Sequence, residues 1–143
     1  MNISKFTQKS VQAVQDLEKV AYEYGNQEVE QEHLLYALLT QEDSLILKLI
    51  EKMEINKDYF INTVKKALDA KVKVSGGDLR FGQYLNKSLV NAENEAKAMG
   101  DEYVSVEHLF LSLLTQPSPS MKKIFNEFGI TRERFLQALS TVR

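Results

Sequence analysis

The chain has 143 residues with 18 basic and 20 acidic side chains, a formal net charge of −2. That balance leaves no basic field for nucleic acid, and the length suits one domain. With no cysteine, there is no disulfide framework, thiol nucleophile or cysteine zinc site, which fits a reducing, cytoplasmic compartment.

Apolar residues at three- and four-residue spacing (Val14, Leu17 and Ala21, flanked by Val11, Ala13 and Val20) predict a helix over residues 7–24. Thr7 suits its N-cap and Gly25 its close. Further helices are expected over 30–40, over 44–52 with Asp43 as cap, and over 57–68 with Asn56 as cap. Residues 71–81 break the pattern, and Ser75-Gly76-Gly77-Asp78 is turn chemistry. A helix over 83–99 then turns Leu85, Leu89, Ala92 and Ala96 inward and ends at Gly100. Ser105 opens the next, which bears Glu107 and His108. Ser118 as cap with Pro119 at the first helical position starts another, and Thr131 caps the last, which ends near Val142. No apolar run approaches the ~20 residues of a membrane helix, and the first residues lack a signal-peptide core.

One phrase occurs twice. Val29-Glu30-Gln31-Glu32-His33-Leu34-Leu35 returns as Val104-Ser105-Val106-Glu107-His108-Leu109-Phe110, an offset of 75 residues (33 to 108). The same offset pairs Phe6 with Phe81, Gly25 with Gly100 and Phe60 with Phe135 without a gap. A repeat dictates architecture. The expected fold is all-α: eight helices in a single domain over 1–143, as two tandem four-helix repeats, 1–70 and 82–143, joined by a linker at 71–81 and related by a pseudo-two-fold.

Signals for catalysis are thin. The six glycines form no phosphate-binding loop with a following Lys and Ser or Thr. Neither Glu32-His33 nor Glu107-His108 has the second histidine, four residues on, that a helical zinc site needs. The histidines are expected to pack or hydrogen-bond within their first helical turns, with no metal. A carboxylate there is favoured by the helix dipole alone. Glu32 and Glu107 are therefore either dipole partners or anchors for a basic side chain or amide of a bound peptide. Thr7 is either a cap or part of a site, and Asp101 either turn chemistry or part of one. Tyr84 is either the edge of the Leu85–Leu89 stripe or a surface aromatic suited to recognition.

Phe6-Thr7 opening a helix, Glu-His-Leu with Leu-Leu, the 75-residue duplication and Asp101-Glu102-Tyr103-Val104-Ser105-Val106-Glu107-His108-Leu109 together resemble the N-terminal domain of Clp-type AAA+ unfoldases. Lys73-Val74-Ser75-Gly76-Gly77 and Asp101-Glu102-Tyr103 lean toward the ClpB-type disaggregases. ClpC-type relatives carry Gly-Thr before Glu-His, where Glu30-Gln31 and Ser105-Val106 stand here. That departure sets phosphoarginine or adaptor recognition second, although Glu32 and Glu107 remain. The resemblance implies the substrate-binding domain of a hexameric machine that threads unfolded or aggregated polypeptides, partnered by the DnaK system. ATP and Mg²⁺ would act in modules outside these residues, with no cofactor, no enzymatic activity and a monomeric state for this domain. Carried over by residue, its polar cluster falls on Thr7, Asp101 and Glu107. Tyr84, Leu85 and Leu89 are candidates for its apolar groove, although helical period alone would bury the two leucines.

Overall fold

The computed structural model describes residues 2–143. Side-chain caps set where most helices start. Thr7 accepts from the Ser10 amide ahead of α1 (Gln8–Glu23). Ser44 does so for α3 (Leu45–Lys52) and Asn56 for α4 (Lys57–Asp69). Ser118 caps α7 (Pro119–Phe128), with Pro119 in its first turn, and Thr131 caps α8 (Arg132–Ser140). Each cap satisfies an amide that has no partner inside its helix. The cap of α3 is thus Ser44 and not the expected Asp43. Asp43 takes a left-handed φ of 57° and pairs with Lys48. The remaining helices are α2 (Gln31–Leu39), α5 (Gln83–Ala98) and α6 (Val106–Thr115). A 3-10 turn, Ile3–Lys5, precedes α1.

α2 and α6 are buried on nearly every side, as helices without a polar face must be. They lie at the centre, with α1 packed on α2 and α5 on α6. Leu34, Leu38 and Phe60 from the first half join Leu109, Phe110 and Phe135 from the second in one core, all 0% exposed. Phe110 stacks against both Phe135 and Phe125, with ring centroids 4.5 and 5.8 Å apart. Leu85 and Leu89, named above for a surface groove, are 0% and 2% exposed and belong to this core. Their four-residue spacing keeps them on the inward stripe of α5, although Leu85 also borders the recess beside Tyr84.

The halves meet through a seam that alternating patterns could not reveal, because each strand has two residues. β1 (Glu28–Val29) lies parallel to β2 (Arg80–Phe81), with Val29 opposite Phe81, and Phe6 makes a parallel bridge with Val104. By the 75-residue offset these are one contact made twice with the roles exchanged. The backbone agrees: Thr7 N–H donates to Val104 O at 3.0 Å, and Gly82 N–H to Val29 O at 2.8 Å. Such reciprocity is the mark of a two-fold axis between the halves.

One polar lock belongs to the second half alone. Glu95 of α5, 4% exposed, accepts two bonds from Arg132 of α8, at 2.7 and 3.0 Å, and one from the Thr115 hydroxyl at 2.6 Å. Burial alone would raise the Glu95 carboxyl, but Arg132 and Thr115 hold it below its ordinary value. The first half has Val20 and Lys57 at the positions of Glu95 and Arg132.

Phe110→Ala is expected to lower unfolding free energy by about 3–5 kcal/mol, whereas Val90→Ala, at a 60% exposed site, should change it by less than about 0.5 kcal/mol. Urea unfolding of the two variants checks this.

Candidate functional site

The starts of α2 and α6 are wired alike. Ser105 N–H donates to His108 Nδ1 at 2.8 Å, and His108 Nε2 lies 2.7 Å from Asp101 Oδ2. In the first half Glu30 N–H donates to His33 Nδ1 at 2.8 Å, and His33 Nε2 lies 3.0 Å from Asn26 Oδ1. An amide hydrogen aimed at Nδ1 makes that nitrogen the acceptor, so the proton sits on Nε2 and each imidazole is neutral. Histidine thus serves at the third helical position, where Glu or Gln usually completes a capping box. Asn26 occupies the place of Asp101, a match of 75 residues that the sequence reading passed over.

Both imidazoles are 0% exposed. Burial, with Lys71 nearby, pulls His33 down from its ordinary 6.5 to about 4. Ser105, His108 and Asp101 share one corner but cannot act as a hydrolytic triad. Asp101 holds Nε2, the Ser105 amide holds Nδ1, and no lone pair is left to take a proton from a nucleophile. The expectation of histidines hydrogen-bonded within their first turns matches this geometry.

Each glutamate has a cation beside it. Arg143 Nη2 lies 2.7 Å from Asp101 and 3.0 Å from Glu107, and it is foremost in holding the Asp101 carboxyl below its ordinary 3.8. Lys71 reaches Glu30 at 2.7 Å and Glu32 at 3.2 Å. Glu32 also accepts from the Ser120 hydroxyl at 2.6 Å, and its side chain is 2% exposed. Glu32 is therefore no open anchor for a peptide: a buried carboxylate must be paired internally, and its partners are already in place.

Glu107 differs, because it lines a groove of about 450 Å³. Thr7, Gln8 and Lys9 at the start of α1 form one wall, and Gln41, Asp43 and Leu45 another. Ser105, Val106 and Glu107 at the start of α6 complete it. Leu45 and Val106 supply apolar surface, Thr7 and Glu107 a polar rim. Asp101 lies outside this groove and reaches it through the Arg143 it shares with Glu107. Thr7, Glu107 and Asp101 are thus brought into one neighbourhood. Tyr84, 44% exposed, is not: it lines a separate groove of about 290 Å³ with Glu28, Glu30, Gln31, Gly82 and Ser118. Among the described residues no cluster of three metal-ligating side chains forms, and no helix is long and apolar enough to cross a membrane.

Comparison with known proteins now bears on the fold. The family described as the Clp repeat (R) N-terminal domain matches residues 5–141. The chain belongs to that family. This Clp N-domain is 39% identical over 149 residues to chaperone protein ClpB of Nitratidesulfovibrio vulgaris, covering 100% of this chain and 17% of that protein. It is similar in structure to the Hsp104 N-terminal domain from Candida albicans, with a TM-score of 0.81 at 21% identity, covering 94% of this chain and 88% of that one. A ClpV N-domain in complex with a VipB peptide gives a TM-score of 0.73 at 23% identity, covering 96% and 89%. The Clp N-domain here is all-helical and holds no ATPase module, and it spans 17% of the ClpB relative's length.

Because His33 takes a proton at about pH 4 when folded and at 6.5 when free, the unfolded chain binds more protons between those values. Stability from this residue is complete above pH 6.5 and is lost as pH falls toward 4. Denaturant titrations at pH 7 and pH 5 should show a loss on the order of 1–2 kcal/mol, and His33→Gln should flatten that dependence.

Proposed function

We propose that this domain captures exposed apolar segments of unfolded or aggregated polypeptides for a ClpB-type disaggregase. The observation that carries the reading is the groove at the start of α6, where Leu45 and Val106 meet a rim of Thr7 and Glu107. An unfolded client exposes apolar side chains that a native protein hides, and such a groove takes them without reading sequence. A ClpV N-domain of the same fold is known in complex with a VipB peptide, which supports peptide binding as a use of the fold.

The energetics suit loose holding. Each buried apolar side chain contributes ~1.5–3 kcal/mol before the costs of association and ordering, so one domain binds weakly. Several copies on a ring would raise the effective concentration of the site and hold a client by avidity. In this reading ATP and Mg²⁺ work in other modules of a cytoplasmic machine, and the DnaK system works beside it. Glu107, bridged to Asp101 by Arg143, gives the rim a carboxylate that suits donors on a client.

The alanine variants one would first make are poor tests. Asp101→Ala would strand the buried His108 Nε2–H, at a cost of about 1–3 kcal/mol. Asp101→Asn keeps an acceptor, as Asn26 does in the first half, and removes only the charge. Asp101→Asn with Glu107→Gln should weaken capture of a denatured client about tenfold, and Leu45→Ser should do the same by removing ~1.5–3 kcal/mol of apolar contact. Fluorescence titration reads the affinity and circular dichroism the helix content. Unchanged capture in both variants, or tight binding that requires phosphoarginine, would overturn the reading.

A further inference from the structure

The 75-residue offset carries the client groove onto the other groove. Thr7, Lys9, Asp43 and Val106 correspond to Gly82, Tyr84, Ser118 and Gln31, and these two sets line the two grooves. Duplication therefore built the same recess twice. The two are not equally open, at about 450 and about 290 Å³.

Gln31 is where the two differ most in bonding. Its side chain is buried, and Nε2 donates to Ser88 Oγ at 2.8 Å and to Gln116 O at 2.9 Å. Its Oε1 accepts from Ser118 N–H at 2.8 Å. Three bonds thus tie the start of α2 to α5 and to the connection before α7. In the open groove Val106 stands at the place of Gln31 and Ala13 at that of Ser88, so neither amide nor hydroxyl is available. The neighbouring position repeats the contrast. Leu45 gives the open groove apolar surface, whereas its counterpart Ser120 donates to Glu32.

We propose that Gln31 is the resident occupant of the second groove, so that the duplicated domain accepts one client segment and not two. This rests on the capture reading above, and deepens it by naming the residue that restricts the number of sites. The cost of opening the second groove is the loss of three satisfied bonds in a buried place, which an incoming apolar side chain cannot replace.

The test is a titration of the ¹⁵N-labelled chain with a short synthetic peptide rich in Leu, Phe and Ser, read by amide shifts and calorimetric stoichiometry. The wild type should bind one peptide per chain, moving Leu45 and Val106 and leaving Tyr84 still. Val106→Gln with Ala13→Ser puts the same two side chains at the corresponding positions of the larger groove, where Gln41 and Asp43 are the counterparts in sequence of Gln116 and Ser118. That variant should bind at least about tenfold more weakly with unchanged helix content. Two peptides per wild-type chain, with Tyr84 and Val106 moving together, would overturn the proposal while leaving capture intact, and this outcome needs no variant. Unaltered affinity in a folded Val106→Gln, Ala13→Ser chain would overturn it too. A peptide that moves neither groove would remove the capture reading and this inference with it.

Discussion

Each half buries the start of its central helix, and peptide groups taken out of water must find partners within the protein. This requirement shapes everything at the seam. The amides of Glu30 and Ser105 are part-buried, and each is met by a histidine ring from one turn further on. The ring's other nitrogen then needs an acceptor, which Asn26 or Asp101 provides. A backbone debt is thus passed to a side chain and settled by the turn that precedes it. The exchanged backbone bonds at Val29 and Val104 finish the pattern across the axis.

The same wiring explains why the two sites diverged so readily. A neutral acceptor suffices for the imidazole, so Asn26 and Asp101 do equal structural duty, and the extra charge of Asp101 is left to interact with Arg143. Similarly, the helix start tolerates either Gln31 or Val106 after the capping residue. One choice ties the surrounding elements together, and the other leaves apolar surface facing a recess.

Much of this was legible in the order of residues. The duplication, the eight helices, the inward stripe of α5 and the helix-start chemistry of Thr7, Ser118 and Thr131 follow from period and residue type. The placement of Thr7 beside Glu107 required the family resemblance, since they are far apart in the chain. Other features were out of reach. Asp43 and Ser44 are both good caps, and only the left-handed turn at Asp43 decides between them. Val106 reads as core and is buried, at 6% exposure, and nothing local marks it also as the wall of a recess. Glu32 and Glu107 both stand second in their helices, just before a histidine, yet Lys71 and Ser120 hold the first, whereas the second, paired with Arg143, lines the larger groove. Tyr84, aromatic and exposed, lines the smaller groove, away from Thr7 and Glu107.

The lock between Glu95 and Arg132 bears on how a duplicated chain avoids confusing its own ends. By symmetry Arg132 of α8 could be offered to α1 as it is to α5, but there it would meet Val20 in place of Glu95. The guanidinium would then lose the carboxylate to which it donates two hydrogen bonds. Two nearly interchangeable halves are thereby given different keys, and a strand of sequence that could tangle with its copy, or with a neighbouring molecule, has one address to go to.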